Sequence, residues 1–270
     1  EFKTMTPVQA EALPYVLEGK DVLAQAKTGS GKTAAFAVPL LAYVAQLPAQ
    51  RIASLAEDGP LAVVLAPTRE LAQQINDEIA KLSSYLSCKT TTIVGGRSIE
   101  DQGFLLREGV EIIVGTPGRI NDCLESQYLV LNQANYVVLD EADRMLDMGF
   151  EPQIRKIISH VPRGYQSLMY TATWPREVRS MASEFQRRPY QITIGTADEK
   201  LTANKDVEQR VLLVGSPQEK DGHLISQINT LEPGSRVRDR HALAVQLRRD
   251  VAPSVEGPLG RRREAPIATD

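Results

Sequence analysis

The sequence predicts an α/β fold: a doubly wound parallel sheet with helices on both faces. Three observations predict it. Short, almost continuously apolar runs alternate with helical patterns through residues 1–195, as parallel strands buried on both faces require. One of those runs, Val22–Gln25, passes through a glycine-rich loop, Ala26–Thr33, into a helical pattern. Another, Tyr136–Leu139, ends in the carboxylate pair Asp140-Glu141. In open sheets of this kind ligands bind at the carboxyl ends of the strands. Both polar segments fall at such ends.

The predicted strands are Asp21–Gln25, Leu61–Ala66, Lys89–Val94, Glu111–Val114, Tyr136–Leu139 and Ser167–Thr171. The clearest helix between them carries Leu71, Ile75, Ile79, Leu82 and Leu86 on one face at a 3.6-residue period. The loops after Gln25, Ala66, Val94, Val114, Leu139 and Tyr170 should then share one edge of the sheet. Residues 196–209 are polar and aperiodic and read as a linker. Within 210–270, Gln209–Gly215 suits one more strand and Glu219–Leu231 a helix. After Gly234 the chain is rich in Arg, Pro and Gly, completes no βαβ unit and is expected to be poorly ordered beyond about Ser235.

Bulk properties narrow the function. The 270 residues are 42% hydrophobic and 24% charged, with a formal net charge of −3, so any nucleic-acid contact must use a local surface. The longest apolar stretch, from Ala34 to Leu47, contains Pro39 and is shorter than the ~20 residues of a membrane span, so a soluble protein is expected. Glu1-Phe2-Lys3 reads as an interior start and not as a targeting signal. Cys88 and Cys123 stand in unrelated contexts and suit reduced thiols of a nuclear or cytoplasmic protein.

The loop Ala26-Lys27-Thr28-Gly29-Ser30-Gly31-Lys32-Thr33 has the composition of a phosphate cradle. Gly29 and Gly31 let backbone N–H groups converge, and the following helix adds its positive end. Lys32 should reach the β- and γ-phosphates, and the Thr33 hydroxyl should bind Mg²⁺. The strict pattern begins with Gly where Ala26 stands. Asp140 is the Mg²⁺ partner and Glu141 polarises the attacking water. The blander alternatives are a Gly-Lys-Thr that merely starts a helix and two acids that cap one. Capping and catalysis are compatible.

With these residues in view, the chain resembles the DEAD-box RNA helicases, whose name motif is the literal Asp140-Glu141-Ala142-Asp143. Seven motifs stand in family order. Thr6-Pro7-Val8-Gln9 resembles the motif whose glutamine reads adenine, a role carried to Gln9. The family's own phosphate loop also begins with Ala, which accounts for Ala26. Pro67-Thr68-Arg69-Glu70-Leu71, Gly95-Gly96 and Thr116-Pro117-Gly118-Arg119 resemble its RNA-contacting motifs. Thr171-Ala172-Thr173 resembles the Ser-Ala-Thr motif that couples hydrolysis to unwinding, and the resemblance implies a coupling role for Asp143, Thr171 and Thr173.

The resemblance is dense over residues 1–195 and looser to about 232. It implies a RecA-like ATP-binding lobe over 1–195, ATP and Mg²⁺ as cofactors, and sequence-independent contacts to the RNA backbone. Physical chemistry agrees, because helix-start amides, threonine hydroxyls and arginines suit phosphate and sugar oxygens and carry no base identity. In isolation Thr116–Arg119 reads as a simple turn, Trp174 as a half-buried aromatic, and Lys27, Arg97 and Arg144 as solvated charge. The resemblance fails after the first lobe. No His-Arg-Ile-Gly-Arg-like segment occurs, although His241–Arg249 and Ile267–Asp270 resemble pieces of a second lobe. Residues 210–270 therefore read as a truncated or divergent remnant, and impaired hydrolysis is expected. The alternatives to a helicase are a non-enzymatic RNA- or partner-binding fragment and a DNA helicase or generic phosphate-loop ATPase.

Overall fold

A computed structural model describes residues 4–195 and 214–230. The chain divides into two units, 1–202 and 203–270.

In the first unit the elements run α1 (Pro7–Leu17), β1 (Val22–Gln25), α2 (Lys32–Ala45), α3 (Ala49–Ala53), α4 (Leu55–Asp58), β2 (Ala62–Leu65), α5 (Arg69–Leu82) and β3 (Thr90–Ile93). Then follow α6 (Ile99–Arg107), β4 (Ile112–Gly115), α7 (Pro117–Glu125), β5 (Tyr136–Leu139), α8 (Ala142–Asp147), α9 (Glu151–Ser159), β6 (Gln166–Thr171), α10 (Arg176–Phe185) and β7 (Tyr190–Thr193). The seven strands form one parallel sheet in the order β3-β4-β2-β5-β6-β1-β7.

Alternation along the strands divides the core. Val22, Ala24, Val64, Val138 and Tyr170 face α1, α2 and α5, where Val8, Phe36, Leu40, Ile75 and Ile79 pack against them. Leu23, Val63, Leu65, Val137, Leu139 and Met169 face the other layer, with Ile120 of α7, Met145 of α8, Ile154 of α9 and Met181 of α10. Burial on both faces explains the unbroken apolar runs.

All six predicted strands form. β1 begins one residue later than expected because Asp21 closes its end: its carboxylate accepts the backbone N–H groups of Ser167 (2.8 Å) and Arg187 (2.6 Å). Before β4, buried Glu111 accepts the N–H of Lys89 at 2.9 Å. The seventh strand, Tyr190–Thr193, was not expected; only Ile192 of it is buried, so it lacks an apolar run. The helical face of α5 stops at Leu82, and Leu86 is 40% exposed beyond it. Serines at 83 and 84 compete for backbone hydrogen bonds and favour the turn that ends the helix.

In the second unit α11 (Pro217–Asn229) matches the helix expected at Glu219–Leu231, with the Ser216 hydroxyl accepting the N–H of Glu219 at 3.2 Å. The strand expected over Gln209–Gly215 lies largely outside the described residues. The linker at 196–209, His241–Arg249, Ile267–Asp270 and the expected disorder after Ser235 lie wholly outside them. Among the described residues no helix is long and apolar enough to cross a membrane.

Candidate active site and nucleic-acid groove

The strand order sets the site. β6 lies between β1 and β5, so the glycine-rich loop, the Thr171–Thr173 turn and Asp140-Glu141 leave three neighbouring strand ends. Thr171 is level with Gln25, and the Ala26 N–H donates to the Thr171 carbonyl at 3.0 Å.

The loop is built as a cradle. Gly29 (φ +80°) and Gly31 (φ +90°) both lie in the left-handed region, and α2 opens directly on Lys32. Gly31 has a second requirement: a Cβ there would sit 2.7 Å from Gln9 Nε2. Gln9 is 6% exposed; its Nε2 donates to the Gly31 carbonyl at 3.0 Å and its Oε1 accepts the Thr6 N–H at 2.9 Å. The motif around Gln9 is thus tied to the loop that follows β1. Lys32 is buried, its ammonium donating to the Ala26 carbonyl at 2.7 Å. Thr28 is exposed, and Ser30 and Thr33 are half-buried beside it.

Asp140 is 4% exposed. Burial pushes its carboxyl from 3.8 up to about 6; Lys32 opposes that rise and Glu141 adds to it. One Asp140 oxygen accepts the Glu141 N–H at 3.0 Å. Glu141 is a non-glycine residue in left-handed geometry (φ 52°, ψ 50°), and such strain, about 1–3 kcal/mol, gathers at functional sites. Arg144, expected as solvated charge, is exposed yet lies 3.4 Å from a Glu141 oxygen.

Asp143 connects this turn to the next. One of its oxygens accepts both the N–H (2.9 Å) and the hydroxyl (2.7 Å) of Thr173, while the Thr171 hydroxyl donates to the Thr173 carbonyl at 2.8 Å.

The cradle fits a magnesium–nucleotide. It offers positive-φ glycines, a buried lysine that forms no ion pair among the described residues, and buried Ser30 and Thr6 hydroxyls without a protein partner. Among the described residues no group of three or more His, Cys, Asp or Glu is placed so that together they could hold a metal ion. That suits Mg²⁺, which is commonly held by one or two protein oxygens together with phosphates and water.

A second group of residues meets across α5, the β3 loop and α7. Pro67, Thr68, Arg69, Gly95, Thr116, Gly118 and Arg119 line one open groove of about 450 Å³. The Thr68 hydroxyl caps α5 by accepting the Leu71 N–H at 3.2 Å. The Arg69 guanidinium lies over the glycine pair, where a Cβ on Gly96 (φ +80°) would fall 2.1 Å from it. Thr116 precedes α7, and buried Pro117 is its first residue. Arg119 donates to the Arg97 carbonyl at 2.7 Å and meets Asp122 at 3.2 Å. Arg97 is exposed and reaches Thr92 and Gln73. The groove is also lined by Glu70, Asp122, Met148 and Phe150. Met148 and Phe150 stood outside every motif, and the one signal of a role was an exposed methionine next to the acidic turn. Trp174 packs half-buried against the core, as expected for an ordinary aromatic.

A DEAD/DEAH box helicase model matches residues 6–181. The chain belongs to the DEAD/DEAH box helicase family. It is 47% identical over 238 residues to DEAD-box ATP-dependent RNA helicase 14 of Arabidopsis thaliana, covering 87% of this chain and 37% of that protein. It is 42% identical over 245 residues to the probable ATP-dependent RNA helicase DDX23 of Homo sapiens, covering 81% of this chain and 30% of that one. The crystal structure of the yeast DEAD-box splicing factor Prp28 superposes with a TM-score of 0.69 at 37% identity, over 86% of this chain and 54% of that chain. The family fold, RecA-like, is the one described above. The chain spans little more than a third of the length of the Arabidopsis relative and less of the human one.

Proposed function

We propose that residues 1–195 form the ATP- and RNA-binding lobe of an ATP-dependent RNA helicase of the DEAD-box type, which remodels short RNA duplexes or RNA–protein complexes. The carrying observation is the Asp143–Thr173 tie. It joins the turn that bears the acidic pair to the turn after β6, beside the phosphate cradle, so a change at the nucleotide has a direct route into the neighbouring loop.

In this reading Gln9 reads the adenine edge. Ala26, Thr28, Gly29, Ser30 and Gly31 present the cradle, and Lys32 leaves the Ala26 carbonyl for the phosphates. Thr33 and Asp140 hold Mg²⁺, which neutralises phosphate charge when bound. Glu141 orients the attacking water and accepts its proton. Pro67, Thr68, Arg69, Gly95, Gly96, Thr116, Pro117, Gly118 and Arg119 take the RNA backbone, without base readout. Asp143, Thr171 and Thr173 couple the two events. Residues 196–209 are then the linker and 210–270 a remnant of the second lobe. An RNA substrate accords with nuclear or cytoplasmic residence.

One observation favours a second reading, a non-enzymatic RNA- or partner-binding fragment: this sequence has no His-Arg-Ile-Gly-Arg-like segment. Arginines supplied to a phosphoryl-transfer site are worth roughly 10³–10⁵ in rate in related enzymes. The chain alone should therefore turn ATP over slowly. Filter binding of single-stranded RNA against matched DNA across a salt series tests the substrate class. The proposal expects preference for RNA, a linear fall of log affinity with log salt, and a shallower slope in Arg69→Ala and Arg119→Ala. Equal binding of DNA would contradict it.

A further inference from the structure

A second concavity lies at the opposite edge of the sheet from the nucleotide cradle. It opens where α9 ends and the chain enters β6, and where α10 ends before β7. Its volume is about 380 Å³. Ile158, Val161 and Phe185 supply its apolar part, Ser159 adds a hydroxyl, and half-buried Tyr165 completes a lining whose exposed surface is mostly polar. The Tyr165 ring is fixed, because its hydroxyl donates to the Phe185 carbonyl at 3.0 Å. The rim is basic. Arg163 and Arg187 are both exposed, and among the described residues neither has an ion-pair partner. The one acid in the lining, Glu184, is engaged by Arg155, which also holds Glu151. The rim is preformed: Gly164 (φ +97°) makes a left-handed turn, with the Arg187 guanidinium 4.0 Å from where its Cβ would be.

Two arginines without ion-pair partners among the described residues, on the rim of one cavity, make a local positive site in a chain whose net charge is −3. A single compact cavity takes one anchoring side chain, whereas single-stranded nucleic acid needs an extended basic groove with exposed aromatic faces for stacking. Phe185 is buried under the Arg155 guanidinium and Tyr165 stands alone beside it, so the cavity has no row of exposed aromatic faces for successive bases.

We infer that this cavity docks an acidic segment of a partner protein, inserting one aliphatic or aromatic side chain between Arg163 and Arg187 with carboxylates on either side. It goes beyond the helicase reading and does not depend on it. The location leaves the nucleotide cradle and the RNA groove free, so a docked partner would not compete with either.

The test uses the full chain and fluorescein-labelled eight-residue peptides. Each has one central Leu, Ile, Phe or Tyr flanked by Asp and Glu. Controls carry the same centre flanked by Lys and Arg or by Gly and Ser. Polarisation titrations are run on the wild type, on Arg163→Glu/Arg187→Glu and on Arg163→Gln/Arg187→Gln. Melting curves and fluorescent-nucleotide binding report on the fold and the distant site. The inference expects at least one acidic peptide to bind, tenfold or more weaker in both variants, with melting and nucleotide affinity unchanged. It expects the charge-reversed variant to prefer the basic set. Acidic peptides that bind no better than the Gly/Ser set would overturn it. So would binding that ignores both variants, or single-stranded RNA that displaces the peptide, the last marking a nucleic-acid surface instead.

Discussion

Asp140 is the residue where folding and function oppose each other. A buried carboxyl pushed from 3.8 to about 6 holds a proton more readily in the native state than in the unfolded chain. Its contribution to stability is therefore complete below about pH 3.8 and is lost as pH rises through about 6. The shift corresponds to a penalty of about 3 kcal/mol at neutral pH. Asp140→Asn removes that charge at nearly constant shape. We expect it to raise the melting temperature of the ligand-free chain by several degrees at pH 7.5 and to change little at pH 4. Magnesium needs the ionised form, so the thermal shift given by Mg²⁺ with a nucleotide should grow as pH rises from 5 to 7.5. In Asp140→Asn that growth should vanish. Scanning calorimetry at the two pH values checks both. The sequence placed Asp140 at a strand tip; its burial, and hence the opposition, came only with the packed layers around it.

At the scale of elements, close approach of another loop's side chain adds to backbone geometry at two glycines, Gly31 and Gly96. At Gly31 an added methyl would meet Gln9 Nε2 at 2.7 Å in a left-handed backbone. Gly31→Ala should lower stability by roughly 1–3 kcal/mol and abolish nucleotide binding, as read by urea melts and a fluorescent-nucleotide titration. At Gly96 the methyl would meet the flexible end of Arg69. Gly96→Ala should therefore weaken RNA binding while nucleotide affinity holds. Asp143→Ala cuts both hydrogen bonds to Thr173, so RNA stimulation of ATP turnover should fall while nucleotide affinity stays within about twofold.

Much of this level was legible in advance. Five strands were readable because burial on both faces leaves a largely apolar run, and β3, an edge strand with only Thr92 and Ile93 buried, was readable from its run of β-branched residues. β7 was not readable because as an edge strand it buries one residue. The groove's motif residues were readable as strand-end loops. Met148 and Phe150 were not, because the turn between α8 and α9 reaches the groove through tertiary packing that leaves no periodic mark.

For the whole molecule, the described lobe carries the proposed nucleotide cradle and the proposed RNA groove on one edge of a single sheet, while the arginines expected from a second lobe have no counterpart motif in the sequence. Catalysis by this chain should therefore depend on what is supplied to it. The direct measurement is ATP turnover with and without single-stranded RNA, by the chain alone and after addition of a separately produced second lobe from a related helicase. Glu141→Gln is run in parallel. We predict slow turnover alone, RNA-stimulated turnover on mixing, and loss of that stimulated rate in Glu141→Gln with nucleotide binding intact. Absence of nucleotide binding in the unmodified chain, or a stimulated rate that survives Glu141→Gln, would contradict the account.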